Sequence, residues 1–95
     1  QVVKLQGLVA VVQDFPPGSE VGNLLGGNCS DIVLESYDGT IVEMFCMKSS
    51  GRIRVGETVN LYGYPCGVTE VPNKLGGNFV HLILVGNDYD DLGSR

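Results

Sequence analysis

Apolar residues recur at every second position through most of this chain. That period sends alternate side chains to opposite faces of an extended segment, and it cannot paint one stripe of a helix. The runs are Val3-Lys4-Leu5, Ile32-Val33-Leu34, Val42-Glu43-Met44, Val59-Asn60-Leu61 and Leu82-Ile83-Leu84. Fourteen glycines and four prolines break the stretches between them, so no helix of several turns can propagate. The pattern predicts an all-β chain with little or no helix, and five strands over 3–13, 30–36, 40–48, 58–65 and 79–86. Ninety-five residues suit one domain, large enough to bury roughly 60–70% of the surface its unfolded form exposes.

Hydrophobic pattern also fixes the pairing of the second and third strands. A two-residue Asp38-Gly39 turn would set Leu34 against Glu43 and Glu35 against Val42, mixing core and solvent residues on each face. A three-residue loop with Gly39 in the left-handed region instead pairs Ile32 with Met44, Leu34 with Val42 and Ser30 with Cys46 on one face. That face is the expected core. The opposite face then carries Asp31 beside Phe45, Val33 beside Glu43 and Glu35 beside Ile41, half acidic and half apolar.

The remaining segments follow from the same reasoning. Gly7 marks a coil or bulge in a long first strand whose inward set is Val3, Leu5, Val9 and Val11. Segment 48–57 is too short and glycine-broken for more than one helical turn. The fourth strand buries Val59, Leu61 and Gly63 and stops at Pro65, and the fifth buries Val80, Leu82 and Leu84 while His81 and Ile83 face the other way. Two long connections, 14–29 and 66–78, contain nearly the same hexapeptide, NLLGGN at 23–28 and NKLGGN at 73–78. Convergent turn chemistry accounts for such an echo as readily as duplication.

Charge and chemistry narrow the functions. Six basic against eleven acidic residues give a net charge of −5, which disfavours nucleic acid unless the cations gather on one face. The barrel is expected over 1–87, with 88–95 as an acidic, flexible tail that carries three of the carboxylates. Cys29, Cys46 and Cys66 lack the close pairing of zinc or redox motifs and read as small hydrophobes. No GxSxG, HExxH or phosphate-binding loop occurs, and the single histidine, His81, reads as a structural residue, so neither catalysis nor a metal or other cofactor is expected. No apolar run approaches the ~18 residues of a membrane span, which points to a soluble and, by default, cytoplasmic domain. The opening Gln1-Val2-Val3 enters a strand pattern directly, as in a processed product or an excised domain.

The order of a long glycine-kinked strand, long loop, tight hairpin, short linker, strand, long loop and final strand resembles the oligonucleotide/oligosaccharide-binding (OB) fold over almost the whole chain. The segment V-G-E-T-V-N-L-Y-G at 55–63 carries most of the likeness. The missing helix between the third and fourth strands departs from it, and keeps SH3-like barrels and small sandwiches as alternatives. The resemblance implies a five-stranded barrel that binds its ligand on the outer face of strands two and three, here Asp31, Val33, Glu35, Ile41, Glu43 and Phe45, between rims at 14–28 and 67–78.

The chemistry of that face favours a non-catalytic binding module, an accessory domain of a larger protein. An apolar centre of Val33, Ile41 and Phe45 ringed by carboxylates suits a protein, or another domain of the same chain, that presents Arg or Lys around an apolar anchor. Tyr62, Tyr64 and Lys74 are further candidate contacts. The competing reading is single-stranded nucleic-acid binding through Lys48, Arg52, Arg54 and Lys74, with the tyrosines as stacking platforms. A purely structural or oligomerisation role is the third.

Overall fold

The computed structural model describes residues 1–24, 26–72 and 75–94. Five strands run in chain order as β1 (Val3–Phe15), β2 (Cys29–Glu35), β3 (Ile41–Cys46), β4 (Thr58–Pro72) and β5 (Asn78–Gly93), with one five-residue helix, α1 (Glu20–Leu24), in the first long connection. They close into a barrel in the order β1-β2-β3-β5-β4. All neighbours are antiparallel except β3 and β5, which pair in parallel. This five-stranded closure is consistent with an OB-like fold.

One long strand serves both halves of the barrel. Val3 to Leu8 of β1 pair with β4, and Leu8 to Phe15 pair with β2. Gly7 sits at the handover, where a Cβ would lie 2.7 Å from the carbonyl oxygen of Glu35. The absent side chain lets the two backbones approach.

Val9, Ile32, Leu34, Val42, Met44, Cys46, Ile53, Val59, Leu61 and Leu84 form the core. Each large side chain buried there contributes about 1.5–3 kcal/mol relative to exposure. The hairpin register is the one the pattern required: Ile32 opposite Met44, Leu34 opposite Val42 and Ser30 opposite Cys46. No helix stands between β3 and β4. Instead the linker turns back through an Ile53 N–H to Ser50 C=O hydrogen bond and delivers the Ile53 side chain to the core. A second clasp holds this turn, where the Asp14 carboxylate accepts from the Ser50 amide at 2.8 Å and from its hydroxyl at 2.6 Å.

Several expectations are corrected. A bulge between Val9 and Val11 reverses the alternation of β1, so Val11 faces outward, 50% exposed, and Val12 packs on the core in its place. Pro65 does not end β4. The strand continues to Pro72 because Pro65 stands beside a bulge, where a residue without an N–H breaks no ladder bond. The second long loop is accordingly an extended β4–β5 hairpin, and Val80 on it is exposed. The fifth strand does not stop at 86 but runs on to Gly93. Tyr89 anchors this end: it pairs with Leu61, packs against the core and donates its hydroxyl to the Ser49 carbonyl at 2.9 Å. Asp88, Asp90 and Asp91 on either side of it are exposed.

Candidate functional site

The closed register extends the outer face of β2 and β3 across all five strands in three rows. The first row runs Gln13, Asp31, Phe45, Val85, Tyr64. The second runs Val11, Val33, Glu43, Ile83, Gly67, and the third Leu8, Glu35, Ile41, His81, Thr69. Directly opposed residues have their side chains on the same side of a sheet, so these rows form one surface. Five of the predicted site residues, Val33, Glu35, Ile41, Glu43 and Phe45, lie together at its centre, and the pairing of Phe45 with Val85 and Val85 with Tyr64 brings in a sixth.

Apolar side chains dominate the rows. Val33, Ile41, Ile83 and Val85 are half-buried, while Leu8, Val11, Phe45 and Tyr64 are exposed. Set among them is a line of titratable groups. The Glu43 carboxylate stands 2.9 Å from Nε2 of His81, both side chains largely covered. On its other side Glu43 hydrogen-bonds Asp31, and partial burial together with this neighbouring carboxyl raises Asp31 to about 7. Asp31 Oδ1 is buried without a hydrogen-bond partner. A buried acceptor left unmatched is costly, so the folded domain retains an unsatisfied polar atom at the middle of an apolar face.

His81 belongs to this cluster and was not anticipated as a site residue. The signal was its position: it alternates with Leu82 and shares a face with Ile83, but only the parallel pairing of β3 with β5 sets it beside Glu43. Leu8 and Val11 were missed for a related reason, because the β1 bulge determines their side.

The other candidates fall elsewhere. Tyr62 donates its hydroxyl to Asp90, whose acceptance raises the phenol's pKa, and it pairs with Lys4 of β1. Tyr62 and Tyr64 border a groove of about 280 Å³ with Asn87 and Asp88. Lys48 lies in an open cleft of about 580 Å³ beside Gly27, Ser49 and Tyr89. Its ammonium is 4.3 Å from the centre of the Tyr89 ring and 3.7 Å from Asp88, so its charge is already partnered. Arg52 and Arg54 are exposed on the following turn, and the Arg54 amide donates to Glu57. Lys74 lies outside the described residues. Cys29 and Cys46 are buried and Cys66 is exposed, all three as free thiols, and burial pushes the Cys46 thiol up. Among the described residues no group of three or more His, Cys, Asp or Glu is placed to hold a metal ion, and no helix is long and apolar enough to cross a membrane.

Comparison with models of known protein families, with curated proteins and with solved structures finds no match to this chain.

Proposed function

We propose that this chain is a non-catalytic binding module of the OB superfamily, acting as an accessory domain, that docks a protein or peptide segment on the outer face centred on Val33 and Glu43. One observation carries the reading: a contiguous apolar surface on a closed barrel encloses the carboxyl groups of Asp31, Glu35 and Glu43. Isolated exposed hydrophobes need no explanation, but a contiguous apolar patch with charged groups set within it marks an interface. The charge selects the partner, a segment presenting Arg or Lys on either side of an apolar side chain. Its aliphatic residues would cover Val11, Val33 and Phe45 while its cations meet Glu35 and Glu43.

The nucleic-acid alternative has less support. The centre of the face is anionic, the net charge is −5, and Lys48 is committed to Asp88 and Tyr89.

The test is a titration of ¹⁵N-labelled protein with three probes: a short peptide alternating Arg with Leu and Phe, its counterpart with Glu in place of Arg, and oligothymidylate. The cationic peptide is expected to shift the amides of 31–35, 41–45 and 81–85. Combining Glu35→Lys with Glu43→Gln should weaken it by about tenfold, or ~1.4 kcal/mol. Unchanged affinity in that double variant, or tighter and steeply salt-dependent binding of the oligonucleotide, overturns the reading.

A further inference from the structure

We infer that the Asp31–Glu43–His81 cluster makes docking of a cationic segment proton-linked, so that the face grips such a partner above neutrality and releases it in mild acid. The inference rests on the proposed docking reading and adds a regulatory device to it. Geometry supplies the mechanism. Asp31 on β2 and Glu43 on β3 stand diagonally across one strand pair on adjacent rows of one face, and partial burial together with this neighbouring carboxyl disfavours ionisation of Asp31. Phe45 and Val33 flank Asp31 and limit its solvation.

The charged groups that bear on Asp31 come from each packed element. From β3 there is Glu43, from β5 His81 on the far side of Glu43, and from β2 itself Glu35 two pairs along the strand. From β1 the facing residue is the uncharged Gln13. No cation of the chain is hydrogen-bonded or ion-paired to Asp31 among the described residues.

In the free domain Asp31 holds its proton below about 7, and its Oδ1 is buried without a hydrogen-bond partner. A guanidinium or ammonium of a partner, seated on the face beside Asp31, stabilises the ionised Asp31 carboxylate through its field and sends the proton to solvent. No bond other than O–H is broken. With Asp31 near 7 in the free domain and well below that when paired with a cation, affinity should rise about tenfold between roughly pH 6 and pH 8.

The experiment measures the affinity of the Arg-alternating peptide across that range for wild type and for Asp31→Asn, which keeps the shape of the protonated carboxyl but cannot ionise. A peptide with Gln in place of Arg serves as the pH-insensitive control. In parallel, the side-chain carboxyl carbon of Asp31 is titrated by NMR in the free domain. Wild type should show the tenfold rise, Asp31→Asn a flat profile, and the carbon a midpoint near neutrality. An equal pH slope in Asp31→Asn overturns the inference and leaves the docking reading standing. Absence of peptide binding at every pH overturns both, and a carbon midpoint near 4 overturns the inference whatever the peptide does.

Discussion

Replacing Gly86 with alanine should be among the most damaging single-methyl changes in this chain. β4 and β5 pinch together where the barrel closes, and a Cβ at position 86 would lie 2.3 Å from the Tyr62 carbonyl oxygen, 2.9 Å from the Gly63 Cα and 3.0 Å from Met44 Sδ. Two of those three neighbours are backbone, so relief requires the strands to part by roughly 1 Å and not merely a change of rotamer. Overpacking of a close-packed interior costs about 1–3 kcal/mol, and backbone contacts place this variant at or above ~3 kcal/mol. For a domain of this size that lowers Tm by roughly 12–24 °C. Gly67 is the matched control on the same strand pair, since a Cβ there has no neighbour within 4 Å and its φ lies outside the left-handed region. Gly67→Ala should move stability by no more than about 1 kcal/mol, with stabilisation the favoured sign because alanine narrows the unfolded ensemble. Thermal unfolding followed by far-ultraviolet circular dichroism compares the two. A Gly86→Ala protein that melts within a few degrees of wild type would refute the tight closure of β4 on β5.

Three further outcomes follow from the same packing. Asp31 binds its proton more readily folded than unfolded, so its contribution favours folding fully below the ordinary carboxyl value of 3.8 and is lost as pH rises through about 7. Asp31→Asn should therefore gain stability over wild type between about pH 5 and pH 8, by ~1–2 kcal/mol after allowance for solvent screening, as read from urea unfolding at each pH. Asp14→Ala strips both acceptors from the buried Ser50 and should cost ~1–3 kcal/mol, with partial recovery in Asp14→Asn, measured by the same method. Thiol labelling of the native domain should modify Cys66 quickly while Cys29 and Cys46 react only on unfolding; fast reaction of all three in the native state would contradict the core assignment.

Sequence alone carried the centre of the fold and of the face, for a definite reason. Ile32, Leu34, Val42 and Met44 alternate strictly, and Gly39 allows only one loop length that keeps them together, so core, register and the opposite acidic-apolar surface were all legible. What escaped was set by irregularities that a period-two pattern cannot announce. The bulge after Val9 turned Val11 from core to surface, and the bulges at Tyr62 and Pro65 carried β4 past a proline that reads as a stop. Asp88, Asp90 and Asp91 read as a solvated tail because their charge outweighs the one residue among them, Tyr89, that pairs with Leu61 and packs against the core. The flanks of the site depend on topology: Ile83, Val85 and His81 join Val33, Phe45 and Glu43 only through the parallel pairing of β3 with β5, between segments distant in the chain.

The face stands or falls with that parallel ladder, and nuclear Overhauser contacts in a methyl- and aromatic-labelled sample measure it directly. Val33 with Val11 and Phe45 with Val85 should give strong cross-peaks, with Ile83 separate from the interior methyls of Leu34 and Met44. Cross-peaks from Ile83 into that interior, with none between Phe45 and Val85, would dissolve the surface on which both the docking and the proton linkage depend.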